Sequence, residues 1–132
     1  MLERDQKGKT YLYRISSISP IFCVLSQFKV LNNLINLFPL LKKIIPFSEK
    51  IILFGSASRG EDLKNSDIDL FVIAHDDKEI NKLIKKYSAD RKIQIIIRTP
   101  IDYIKLEQTD SIFYNEINSG IVIWEKESHY AE

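Results

Sequence analysis

Gly55-Ser56 stands directly after an apolar run, Ile51 to Phe54, and ten residues separate it from Asp67-Ile68-Asp69. A glycine and a serine where a strand gives way to a turn offer backbone N–H groups and a hydroxyl, donors that suit a phosphate. Arg59 adds a fixed positive charge near that turn, and Gly60 permits a backbone conformation closed to other residues. Asp67 and Asp69, two apart on a strand, project from one face. Two carboxylates so placed repel each other unless a cation lies between them, and their hard oxygens suit Mg²⁺. A Gly-Ser turn or an Asp-x-Asp pair is common alone. Together, each beside an apolar strand, they point to a seat for a metal-bound phosphate chain.

The same residues resemble the signature of the nucleotidyltransferase superfamily that shares its fold with DNA polymerase beta. The pattern of its minimal bacterial and archaeal members is Gly-Ser, ten residues, Asp-x-Asp, and this chain keeps that spacing. The resemblance is strong over residues 50–100 and looser to Trp124. It implies an α/β fold of the polymerase-beta type, with a small mixed sheet and helices packed on one side. It implies that Gly55, Ser56, Arg59 and Ser66 hold a nucleoside triphosphate, ATP or another. Asp67 and Asp69 would hold the two Mg²⁺ ions of an in-line attack on the α-phosphate by an acceptor hydroxyl, with pyrophosphate leaving.

Active members draw a third acidic residue from the neighbouring strand. Here Arg91-Lys92-Ile93-Gln94-Ile95 places Gln94 at that position, so the catalytic set becomes Asp67, Asp69 and Gln94. An amide oxygen can ligate a metal, but it brings no charge and takes no proton from an attacking hydroxyl. Asp90, Asp102 and Glu107 lie nearby in sequence, none at the matching position. Two readings follow: an active transferase, or a catalytically weak or inactive nucleotide-binding regulatory module. Related domains act as antitoxins that nucleotidylate a tyrosine on a helical HEPN-type toxin, and others modify aminoglycosides. The resemblance therefore implies a HEPN-type protein partner.

The elements that must position these residues alternate in type. Lys50–Phe54 and Asp67–Ala74 form strands, Asp76–Tyr87 a helix with Ile80, Leu83 and Ile84 on one face, and Lys92–Arg98 a third strand. A helical turn opens the polar segment from Ser56. Thr99-Pro100 caps a short helix to about Leu106, Ser111–Ile117 forms another, and Ile121–Trp124 is the last strand. Upstream, Ser19-Pro20 starts a long helix with apolar residues at Val24, Leu25, Phe28, Leu31, Leu34, Ile35 and Phe38. Pro39 should break or kink it. Its apolar surface suits a second copy of the chain. Residues 1–19 read as a separate N-terminal strand, and 20–132 as the transferase-like domain. Tyr11-Leu12-Tyr13-Arg14-Ile15 resembles the wing of the winged-helix domain that precedes such domains in another subset. Without a recognition helix, that remnant implies no direct nucleic-acid binding.

Composition narrows the remaining classes. The 132 residues carry a net charge of +1 and 45% hydrophobic residues, a balance that excludes a strongly basic nucleic-acid clamp. One cysteine, Cys23, permits no internal disulfide and reads as a small core residue. The charged start lacks the apolar core of a secretory signal, and polar residues from Gln27 to Lys43 interrupt the most apolar stretch, arguing against a membrane span. The expected compartment is the cytoplasm. His75 and His129 have no second histidine at ligand spacing. Lys82, Lys85, Lys86, Arg91 and Lys92 read as a solvated helix face or, alternatively, a contact for polyphosphate or RNA, and Tyr103, Phe113, Tyr114 and Trp124 as core, with Asn115 and Glu116 exposed.

Overall fold

A computed structural model of the chain describes residues 20–63, 66–87 and 91–127. Helix α1 (Pro20–Ile44) leads through a 3-10 turn (Ile45–Phe47) into β1 (Lys50–Phe54). There follow α2 (Ser56–Arg59), β2 (Ile68–Ile73), α3 (Lys78–Lys86) and β3 (Ile93–Arg98). The chain ends in α4 (Pro100–Thr109), α5 (Ser111–Asn118) and β4 (Ile121–Glu125). The proposed N-terminal strand and wing remnant, residues 1–19, lie outside the described residues.

The sheet has the order β3-β2-β1-β4. β1 is antiparallel to both β2 and β4, while β2 and β3 are parallel across α3. The sheet is mixed, as the family resemblance implies. Its helices, however, cover both faces rather than one. Ile51, Leu53, Leu70 and Val72 pack against Leu37, Leu40, Leu41 and Ile44 of α1, with Ala57 of α2 and Ile80 of α3. On the other face Ile52, Phe54, Phe71 and Ile73 pack against Ile117 and Phe113 of α5 and Tyr103 and Leu106 of α4. The physical reason lies in the strands. Leu70 to Ile73 is apolar without alternation, as is Ile51 to Phe54, and strands of that kind need cover on both sides.

Pro39 does not break α1, which runs unbroken through it. The missing N–H removes one helical bond, and the buried docking of Leu40, Leu41 and Ile44 holds the helix beyond it. The N-terminal two-thirds of α1 behaves differently from an amphipathic core helix. Val24, Leu25, Phe28, Leu31, Ile35 and Phe38 are exposed, and so is Cys23, which is not a core residue. By length and mean hydropathy, 1.4, Pro20–Phe47 is long and apolar enough to cross a membrane despite its polar interruptions. Its C-terminal part is instead buried against the sheet, which anchors the helix to the domain.

Candidate active site

β1 and β2 run antiparallel, so the end of one lies beside the start of the other. Phe54 is in register with Asp69, which brings Gly55, the next residue, against the aspartate. Gly55 has φ 72° and ψ −162°, a conformation essentially confined to glycine. A Cβ there would stand 2.5 Å from Asp69 Oδ2. Glycine is required twice over, for the backbone turn and for the carboxylate packed on it.

After that turn Ser56 begins α2, whose first N–H groups have no partner within the helix. Ser58 closes the turn, its N–H and Oγ donating to the Gly55 carbonyl at 3.1 and 2.7 Å. Gly60 ends α2 at φ 69°, and a side chain there would run into the backbone of Ser26 on α1. Arg59 lies exposed at the rim, 2.9 Å from Glu61 Oε1.

Asp67 precedes β2, and Asp69 projects on the Phe71 and Ile73 face, the one covered by α5. Burial, then the charges of Asp67 and Glu116, raise the Asp69 carboxyl above its ordinary value. Gln94 stands beside Asp69 on parallel β3 and is exposed. Among the described residues, no group of three or more His, Cys, Asp or Glu side chains is placed to share a metal. The two aspartates fit a hard divalent cation by donor type, and their mutual repulsion is what such an ion relieves.

Ser66, placed by the sequence with the phosphate-holding residues, has another employment here. Its Oγ accepts from the Leu63 N–H at 3.0 Å, and its carbonyl accepts from Arg91 Nε and Nη2 at 3.0 and 2.8 Å. Arg91 does not belong to a solvated basic face. Its Nη1 lies 2.5 Å from Oδ2 of Asp62, whose side chain is wholly buried. Asn33 of α1 joins them, Nδ2 donating to both Asp62 oxygens at 3.3 Å while Oδ1 accepts from Arg91 at 3.2 Å. Lys29 donates to the Asp62 carbonyl and stands 3.9 Å from its carboxylate. This network ties the segment between the Gly-Ser turn and the Asp pair to α1 and to the approach to β3.

Sequence reading missed Asp62 and Asn33 because isolated polar residues in a loop and on a helix carry no periodic signal. Glu116 was read only as exposed, which it is, but α5 also sets it within electrostatic reach of Asp69. Asp102 lines a different feature. With His75, Asp76 and Arg98 it borders a cavity of about 440 Å³ beyond the C-terminal ends of β2 and β3, away from the Gly55–Asp69 corner.

The family model described as polymerase beta, nucleotidyltransferase, matches residues 32–129. A search of curated proteins finds no match. One solved chain, from the crystal structure of a toxin-antitoxin with AMP-PNP, is 26% identical over 72% of this chain and 75% of that chain. Its TM-score of 0.46 marks a superposition too loose to carry an argument.

Proposed function

The chain belongs to the polymerase beta nucleotidyltransferase family, and on that premise we propose that it binds a Mg²⁺–nucleoside triphosphate at the Gly55–Asp69 corner and transfers the nucleotidyl group to an acceptor hydroxyl. The observation that carries this reading is the glycine-only turn packed directly on the Asp69 carboxylate. That contact sets the start of α2 beside the Asp69 carboxylate, which supports a seat for phosphate and metal together. Ser56, with the backbone at the start of α2, binds phosphate oxygens, and Arg59 lends positive charge at the rim. Asp67 and Asp69 hold Mg²⁺, which when bound supplies charge neutralisation for the triphosphate and its leaving group.

In the transfer the acceptor oxygen bonds to the α-phosphorus and the bridging bond to the β-phosphate breaks, releasing pyrophosphate. The hydroxyl proton passes to a carboxylate or to water, since Gln94 takes none. The acceptor in this reading is a hydroxyl on a partner molecule. A tyrosine of a HEPN-type toxin suits that description, and makes the chain an antitoxin. ATP labelled at the α-phosphate, incubated with Mg²⁺ and candidate acceptors, tests the reading through label transfer and pyrophosphate release.

Gln94 favours one second reading, a nucleotide-binding regulatory module. If nucleotide binds and no label moves, the module reading stands. The Gln94→Asp variant then separates lost chemistry from a wrong acceptor. Restored acid–base capacity is worth about 10²–10⁴ in rate where the carboxylate alone is missing.

A further inference from the structure

We infer that the exposed face of α1 is a coiled-coil seam that pairs with α1 of a second copy of this chain. Ile21, Val24, Phe28, Leu31, Ile35 and Phe38 follow one another at steps of three, four, three, four and three. That is an unbroken a/d heptad repeat, the pattern that packs one helix along another. All six are between 48% and 70% exposed. At about 100° per residue the seam lies nearly opposite the face that carries Ser26, Asn33, Leu37 and Ile44. The helix thus has two apolar faces over part of its length. One is spent on the sheet and on the loop at Gly60 and Asp62, and the other has no cover among the described residues.

The flanks of the seam identify its occupant. Coiled-coil partners are selected by charges beside the a and d positions. Here those places hold Leu25, Gln27, Asn32 and Leu34, none of them charged, and no acidic residue occurs in α1. Lys29 lies on the other side, engaged with Asp62. A partner must therefore bring an apolar stripe of the same length with uncharged flanks. A second copy brings that stripe, and a two-fold arrangement sets no like charges together along it.

A lipid bilayer fits less well. Asn33, Leu37, Leu40 and Ile44 tie α1 to the domain, so its C-terminal part is committed to the sheet and about 25 Å of the described helix precedes Leu37, against a hydrocarbon thickness of roughly 30 Å. The stripe from Ile21 to Phe38 is about 27 Å long and offers on the order of 500 Å² per copy, near the lower limit for a specific interface. The dimer should accordingly dissociate on dilution in the micromolar range.

Sedimentation equilibrium of the full chain across that range tests the inference. The expected result is a monomer–dimer equilibrium. Phe28→Glu and Leu31→Glu, made separately, should each weaken it by about a hundredfold or more, with helical circular dichroism and melting temperature kept. Phe47→Glu, at an exposed apolar position off the seam, should leave it intact. A wild-type monomer at every concentration overturns the inference and leaves the seam to another protein. A dimer that survives both seam substitutions, or that Phe47→Glu dissociates equally, also overturns it.

Discussion

Replacing Arg91 by methionine would strip a buried carboxylate of its principal partner. Asp62 has no exposed side-chain surface, and Arg91 supplies its ion pair at 2.5 Å. Arg91 also donates twice to the Ser66 carbonyl and once to Asn33. Breaking a buried ion pair from one side costs about 3–5 kcal/mol, because the remaining charge is left desolvated. Lys29 persists at 3.9 Å with a partly exposed side chain, so the expected loss lies near 3 kcal/mol, at the lower end of that range. In a domain whose whole stability is about 5–15 kcal/mol, such a loss is a large share. Removing the charge as well, in Arg91→Met/Asp62→Asn, should return about 1–2 kcal/mol, since a neutral amide tolerates burial better. Urea unfolding of the wild type, both single variants and the double variant supplies the cycle. An Arg91→Met loss below about 1 kcal/mol, or a double variant no more stable than Arg91→Met, would refute the reasoning.

Three further substitutions concern the corner itself. Gly55→Ala should cost about 2 kcal/mol or more in unfolding experiments and also abolish nucleotide binding, because the new Cβ meets Asp69 Oδ2 in a backbone conformation closed to alanine. Asp69 holds its proton to higher pH when folded than unfolded, so without ligand the folded chain binds more protons and stability falls as pH rises from about 3.8 through the raised folded value. Asp69→Asn should remove that decline and raise the melting temperature at neutral pH, and Glu116→Gln should lower the Asp69 titration midpoint followed by carboxyl ¹³C NMR.

Much of this arrangement is readable without coordinates. The apolar runs closed by Gly55 and by Ala74-His75 gave β1 and β2 to within a residue, and Thr99-Pro100 marks the start of α4 with its cap on the Asp102 N–H. Alternation of strand and helix implies an α/β or α+β layer, and the family resemblance implies the mixed sheet. The Gly-Ser and Asp-x-Asp spacing foretells a contact that the antiparallel register then makes. What escapes is whatever depends on which surface meets which. Val24 and Phe28 look like core residues by period, yet period reports a face and not its partner. Arg91 sits in a run of lysines and looks solvated, while a carboxylate from a loop 29 residues away removes it from water. Continuous apolarity in β2 is the signal of two-sided cover, but it does not say which helices supply it.

In the proposed function the Gly55 turn and the two aspartates form one seat for a metal-bound triphosphate. Calorimetric titration of the chain with α,β-methylene ATP, which blocks transfer, tests it most directly when run with Mg²⁺, with EDTA, and with the Asp67→Asn and Asp69→Asn variants. The expected result is binding with Mg²⁺ that is lost on chelation and weakened at least tenfold, about 1.4 kcal/mol, by either substitution. Equal binding in all four experiments, or none with Mg²⁺ and the wild type, would contradict it.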